Sequence, residues 1–273
     1  MRKRTRQQLQ ALQIVFQNPD SALNRRHSVR RLIGRSVKKL AGLSGAELKA
    51  RVLELIAAVR MEERHLPLRP SQLSGGLKQR VAIARAFGGA PSVVVCDEPT
   101  SALDVSVQAA ILNLLVDLQL NERVSYLFIS HDLGVVRYLS DRIAVLYLGR
   151  LMEVGPSETV FAGPHHPYTE ALLSAVPRLD GADRQRIRLQ GEIPSAAEPP
   201  PGCVFNTRCP RVLPGGICAD VEPPLVEVEP GHLMACHIEI GELRRLQAGD
   251  TATATATTAA AAANPPAGGR NLD

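Results

Sequence analysis

An α/β fold built around a parallel sheet is expected from three features of the chain. Ser92 to Cys96 (SVVVC) and Tyr126 to Ser130 (YLFIS) are short apolar runs of the kind that fill buried parallel strands. Between them Val107, Ile111, Leu114, Leu115 and Leu118 recur at helical spacing. Strand, helix and strand at this separation imply a crossover connection.

The remaining elements follow in order. Ile14 to Gln17 reads as the end of a further strand, stopped by Asn18–Pro19. Leu48, Val52, Leu55, Ile56 and Val59 predict a helix over Ala46 to Arg60. Ile143 to Leu148 and Leu151 to Val154 flank Gly149–Arg150 and predict a hairpin. Residues 1–160 therefore read as one α/β domain, with a helical part over about 18–80 and core strands over about 81–160. Residues 161–246 are rich in proline and hold four of the five cysteines, which predicts a small loop-rich module. Residues 247–273 carry TATATATTAAAAANPP, almost without large apolar side chains, and read as a disordered tail.

Composition narrows the function. The 273 residues are 45% hydrophobic and 22% charged, ordinary globular usage, which excludes a wholly disordered chain. No apolar stretch approaches the roughly 18–20 residues of a membrane span, and Met1 to Gln10 lacks the apolar core of a secretory signal. A cytoplasmic location is expected, with membrane contact only through a partner. The net charge of +5 is uneven, with basic residues crowded over Arg2–Arg6 and Arg25–Lys39. This reads as a solvated basic segment rather than a nucleic-acid surface, since only nine aromatic residues are present to stack on bases.

Four motifs carry the chemistry. In VVVCDEPTSALD, Asp97 and Glu98 stand at the C-terminal end of a buried strand, where α/β sheets place ligands. The first carboxylate suits a hydrated Mg²⁺ and the second a general base toward water. The alternative is an acidic pair in a turn. In LSGGLKQRVAIARA, Ser74, Gly75 and Gly76 open a helix whose free N–H groups favour an anion, although Ser74 also suits plain N-capping. His131 in SHDLG follows the next strand and Gln17 in FQNP ends the first; each is also an ordinary loop residue when taken alone.

In the order FQNP, LSGG, CDEPTSALD, SHD, these motifs closely resemble the ATP-binding subunits of ABC transporters over about residues 11–160. The resemblance implies that Gln17 is the Q-loop glutamine, Ser74–Gly75–Gly76 the signature, Asp97 the Mg²⁺-attending aspartate and Glu98 the catalytic glutamate. It also makes Ser101–Asp104 the D-loop, with Asp104 near the nucleotide, and His131 the switch histidine. It implies ATP and Mg²⁺ as ligands, a second ATP-binding subunit and transmembrane permease subunits as partners, and a place on the cytoplasmic face of the membrane. No nucleic acid is expected. The stretches GPSETVFAGPHHPYTEALLSAVP and GEIPSAAEPPPGCVFNTRCP resemble the C-terminal extension of the dipeptide, oligopeptide and nickel importers.

Two departures stand against that pattern. No G-x-x-x-x-G-K-[ST] loop occurs, and only sixteen residues precede Gln17. The resemblance thus implies a partial, N-terminally truncated P-loop NTPase domain without its P-loop strand, with one sheet edge and one apolar face exposed and no ATP hydrolysis on its own. The signature also continues LSGGLKQ, bringing Lys78 to a position from which its charge could face phosphate.

Cys203, Cys209, Cys218 and Cys236 are spaced C-x5-C-x8-C-x17-C. Disulfides are disfavoured in the cytosol, so an iron–sulfur cluster, a zinc ion or free thiols are the alternatives. The resemblance favours [4Fe–4S]. His232 and His237 are secondary candidates, and Cys96 reads as a core residue. The function expected is an ATP-binding, ATP-hydrolysing subunit of a peptide-type importer. The alternative is a non-catalytic remnant acting as a metal-bound interaction module or half-site donor.

Overall fold

The structure is a computed structural model and describes residues 4–176 and 186–249. The tail expected at 247–273 lies outside the described residues from 250 onward. The chain divides into two compact units, 1–139 and 140–273.

The first unit runs α1 (Arg6–Ala11), β1 (Leu12–Val15), α2 (Pro19–Ala22), α3 (Val29–Ser36), α4 (Gly45–Ala58), α5 (Gly75–Ala86), β2 (Val93–Asp97), α6 (Val105–Glu122), β3 (Ser125–Ile129) and α7 (Leu133–Leu139). A short π-helical turn, Val37–Ala41, extends α3. The sheet has the order β1-β2-β3 and is parallel throughout, with Ile14 opposite Val95 and Val95 opposite Leu127. The expected strand at Ile14–Gln17 begins two residues earlier, so Gln17 is free of the ladder and belongs to the loop.

Alternation in the strands sends Val15, Val94, Cys96, Tyr126 and Phe128 toward one face. That face packs on Leu55 and Ile56 of α4, Val81 and Ile83 of α5, and Ile111, Leu114 and Leu115 of α6. Cys96 is fully buried and its thiol is pushed up to about 12 by burial, as a core cysteine should be. Phe87, directly after α5, is 0% exposed and lies in the same cluster. The opposite face carries Leu12, Ile14, Leu127 and Ile129, each more than a third exposed. A parallel sheet is ordinarily covered on both faces. Here, among the described residues, one face and the β1 edge are open.

The second unit contains β4 (Arg142–Tyr147), β5 (Arg150–Pro156), α8 (Ser157–Ala162), α9 (Pro167–Ser174), α10 (Ile217–Asp220), β6 (Val226–Glu229) and β7 (His232–Met234). Its antiparallel sheet has the order β4-β5-β7-β6. The β4–β5 hairpin, assigned from sequence to the first domain, pairs through Glu153 and Val154 with Met234 and Leu233 of β7. A ladder between strands some eighty positions apart leaves no local trace in composition.

This unit is held by ring packing and a buried polar pair. Tyr147, Tyr168 and Phe205 pack with centroids 4.8–5.2 Å apart, a geometry worth roughly 1 kcal/mol per pair. Glu153 and His232 are both fully buried; His232 Nε2 lies 2.7 Å from Glu153 Oε1, and the amide of His166 donates to Glu153 Oε2 at 3.0 Å. His166 caps α9, its Nδ1 accepting from the Tyr168 amide at 3.0 Å. Burial, against the attraction of Glu153, lowers the His166 pKa to about 4.

Two outcomes are expected. Phe87→Ala removes a fully enclosed ring and should cost about 3–5 kcal/mol, read as a lower urea midpoint for the helical signal of the first unit. The buried His166 is neutral when folded and takes a proton near its ordinary value of 6.5 when unfolded. Its stabilising contribution is therefore intact above pH 6.5 and is lost as the pH falls to about 4, a loss of about 3 kcal/mol. His166→Asn, which keeps a capping acceptor, should flatten the stability profile of the second unit in that window; an unchanged profile would assign the acid sensitivity elsewhere.

Candidate functional site

Three loops leave the C-terminal ends of β1, β2 and β3, and one carboxylate joins them. Glu98 follows β2 directly with φ 43°, left-handed for a residue bearing a Cβ. Such a conformation costs on the order of 1–3 kcal/mol. It is pinned by the Glu98 amide donating to the Ile129 carbonyl at 3.0 Å, and by the Glu98 carbonyl accepting from the Ser101 hydroxyl at 3.1 Å. Gln17, two residues past β1, donates its Nε2 to Glu98 Oε2 at 3.1 Å. His131, two residues past β3, places Nδ1 3.1 Å from Glu98 Oε1. Each carboxylate oxygen thus has one protein partner and a lone pair left over. The Glu98 side chain is 27% exposed and that of His131 is 74% exposed, so the cluster opens to solvent on the histidine side.

Asp97 is the last residue of β2, opposite Ile129. By strand alternation it shares the open face of the sheet with Val93 and Val95. Asp97 and Glu98, adjacent in sequence, are therefore separated in role by geometry: one ends the ladder and the other turns out of it.

A second locus forms where α5 and α6 begin. Ser74 caps α5, its hydroxyl accepting from the Leu77 amide at 3.4 Å. A Cβ on Gly76 would lie 2.7 Å from Val107 Cγ1, closer than carbon atoms approach, whereas one on Gly75 would meet Leu103 at an ordinary 3.7 Å. The second glycine of the signature is thus demanded by packing against α6, and only the first is left without that constraint. Asp104 caps α6, Oδ1 accepting from the Ser106 hydroxyl at 2.7 Å and the Val107 amide at 2.9 Å. Those two hydrogen bonds hold its carboxyl below the ordinary range. The sequence reading places Asp104 beside the nucleotide; its visible work here is helix capping. Among the described residues no hydrogen bond links this locus to the Glu98 cluster.

Sequence reasoning missed how α5 is tied to the loop after β1. Lys78 Nζ donates to both oxygens of Asp20, at 3.1 and 2.9 Å, with its side chain only 19% exposed. Its charge is directed to Asp20 and not outward toward phosphate, which corrects the sequence-based reading. Gln79, 1% exposed, donates to the Phe16 carbonyl at 3.5 Å. Arg85 donates to the Ala22 carbonyl at the end of α2. A lysine in the signature beside an aspartate in QNPDSALN was the signal, readable only once the two segments are known to meet.

The cysteine expectation finds no support here. Cys203, Cys209, Cys218 and Cys236 are free thiols close enough to feel one another electrostatically, and the amide of Cys203 donates to the Cys218 carbonyl at 2.8 Å. Burial pushes Cys209 up to about 12 and Cys236 to about 11. Yet among the described residues no three His, Cys, Asp or Glu side chains are arranged to hold a metal ion. The geometry thus lends no support to a [4Fe–4S] or zinc centre. His232 is committed to Glu153, and His237 Nε2 to the Val221 carbonyl at 2.8 Å.

Comparison with known proteins gives the family. Residues 1–101 match the family profile described as ABC transporter, and residues 152–218 match that of the oligopeptide/dipeptide transporter C-terminal region. The dipeptide transport ATP-binding protein DppF of Escherichia coli is 47% identical over 228 residues, covering 83% of this chain and 67% of that protein. The oligopeptide transport ATP-binding protein AppF of Bacillus subtilis is 44% identical over 83% of this chain and 69% of its own length. Among solved structures, cbiO1 from Clostridium perfringens, part of the ABC transporter complex cbiONQ, is similar with a TM-score of 0.52 and 30% identity, over 56% of this chain and 60% of that one. With relatives this similar across two thirds of their own length, the chain belongs to the ATP-binding proteins of ABC transporters, in the branch that carries the oligopeptide/dipeptide C-terminal region.

Proposed function

We propose that this chain serves an importer of peptides or related small solutes as an ATP-binding, ATP-hydrolysing subunit, working with transmembrane permease subunits and a second ATP-binding subunit. The single observation that carries this reading is the Gln17–Glu98–His131 cluster, which gathers a basic carboxylate, an amide and an imidazole at the C-terminal edge of a parallel sheet. Among the described residues no helix is long and apolar enough to cross a membrane, which suits a peripheral subunit at the cytoplasmic face.

The residues present fit a Mg²⁺–nucleotide. The donor set is of hard oxygens at an exposed strand end, and Glu98 stays accessible on the His131 side. Asp97 and Gln17 would attend the ion, and a bound Mg²⁺ supplies charge neutralisation on the phosphate oxygens. Glu98 takes the proton of an attacking water through a free lone pair, while Gln17 and His131 hold its carboxylate in one rotamer. His131, largely exposed, is placed to swing from Glu98 toward a phosphoryl oxygen. The α5 N-terminus at Ser74 and Gly75 offers N–H donors to the nucleotide of the second subunit. A helical segment over about 18–80 would receive the permease. A complete site also needs a phosphate-cradling loop, and these 273 residues contain no G-x-x-x-x-G-K-[ST].

The test is ATP turnover in the assembled transporter. Glu98→Gln should lower turnover by roughly two to four orders of magnitude while leaving nucleotide-dependent subunit association in place. His131→Ala should also lower turnover. Gly76→Ala should cost about 1–3 kcal/mol in stability through its clash with Val107. Wild-type turnover in Glu98→Gln would overturn the role of Glu98. No turnover in the assembled wild type would favour the second reading, a half-site donor that completes a partner's site through Ser74 and Gly75.

A further inference from the structure

Between Asp20 and Glu47 the chain has no acidic residue and seven basic ones: Arg25, Arg26, Arg30, Arg31, Arg35, Lys38 and Lys39. The fold arranges these charges on one side. Val29, Leu32, Ile33 and Gly34 of α3 and Val37 of the following turn are buried, whereas Arg30, Arg31, Arg35, Lys38 and Lys39 are all exposed. Arg31, Arg35 and Lys38 recur at i, i+4 and i+7, which puts them in one stripe opposite the buried side. Arg25 and Arg26 continue the exposed basic surface just before the helix. Only Arg25 has an acidic partner, Asp20 at 3.7 Å, and that aspartate is already held by Lys78. Among the described residues the other six basic side chains form no ion pair. The field of the stripe reaches His27, whose pKa is lowered first by desolvation and then by Arg31 and Arg35.

No large apolar side chain of this stretch is exposed. A protein partner is ordinarily gripped by aromatic or aliphatic anchors at the centre of its interface, and none is offered here. A nucleic-acid partner is ordinarily read by aromatic stacking or by side chains around a groove-reading motif, and the stretch carries neither. What remains is an exposed array of positive charge with no apolar wedge to insert. Its complement is an array of negative charge.

We infer that the basic stripe of α3 and its flanks is a docking surface for anionic lipid headgroups, holding the subunit against the bilayer by electrostatics without insertion. The inference stands on charge and geometry and does not depend on ATP turnover. Juxtamembrane clusters of four to eight Lys and Arg bind acidic leaflets in this manner, with a strength that decays within a Debye length.

The test is co-sedimentation of the full chain with vesicles, without nucleotide. Binding is expected to equimolar phosphatidylcholine–phosphatidylglycerol vesicles and not to pure phosphatidylcholine, and it should fall steeply with added salt. The triple variant Arg31→Glu/Arg35→Glu/Lys38→Glu should weaken binding by roughly a hundredfold. A control of equal net charge, Arg123→Glu/Arg186→Glu/Arg188→Glu, alters exposed arginines outside α3 and its flanking sequence and should bind as the wild type does. Circular dichroism of both variants checks that they fold. Equal retention on neutral vesicles, or equal weakening in patch and control variants, would overturn the inference. Patch-dependent retention on duplex DNA with none on vesicles would overturn it in favour of nucleic acid.

Discussion

The parallel pairing of β2 with a strand on each side is the constraint on which the rest of the first unit depends. Because all three strands run the same way, their C-terminal ends lie together, and the loops that follow them leave from one edge. Gln17, Glu98 and His131 are 81 and 33 positions apart in sequence, yet they meet on one carboxylate. In an antiparallel sheet the same three loops could not share an edge. The left-handed backbone of Glu98 is the local expense of this arrangement, and the amide of Glu98 bound to Ile129 links that strained turn to the end of β3.

A second set of contacts connects the site to the helices. Lys78, Gln79 and Arg85 all lie on α5, and all reach the segment Phe16 to Ala22. The helix that begins with the signature is thereby fixed to the loop that contains Gln17. Displacement of one must draw on the other, because the Lys78–Asp20 pair is mostly removed from water and separating it would leave a charge poorly solvated. Gly76 against Val107 fixes the other side of the same helix to α6. The N-terminus of α5 is consequently a rigid platform, which is what a helix end needs if its N–H donors are to address an anion.

Much of this was legible in the sequence, and the exceptions share a cause. The apolar runs at Val93 and Tyr126 announced strands because β-branched and aromatic residues in succession suit a parallel sheet, although among the described residues only one face of these strands is covered. Ser74 announced a helix start because capping is a local matter. Glu98 stood out as one of two adjacent carboxylates at a strand end, whereas Gln17 and His131 gained meaning only from the order of motifs that resembles the ABC ATP-binding subunits. What was not legible required knowing which distant segments touch. The Lys78–Asp20 pair inverted the reading of Lys78, and the packing of Val107 changed the meaning of Gly76 from ligand access to steric fit. The β5–β7 ladder moved the hairpin to the second unit. Cysteine spacing likewise suggested metal ligation, whereas spacing alone does not say whether four thiols point to one centre.

The open face of the parallel sheet gives these observations a common physical meaning. Leu12, Ile14, Leu127 and Ile129 form an apolar surface that water covers poorly, and the β1 edge beside it presents unpaired backbone groups. Asp97 closes that surface at the C-terminal edge of the strands. A helix laid on this face would remove apolar area from water, and a strand paired to the β1 edge would satisfy its backbone groups. Any partner that covered this face would raise the stability of the sheet by removing apolar area from water.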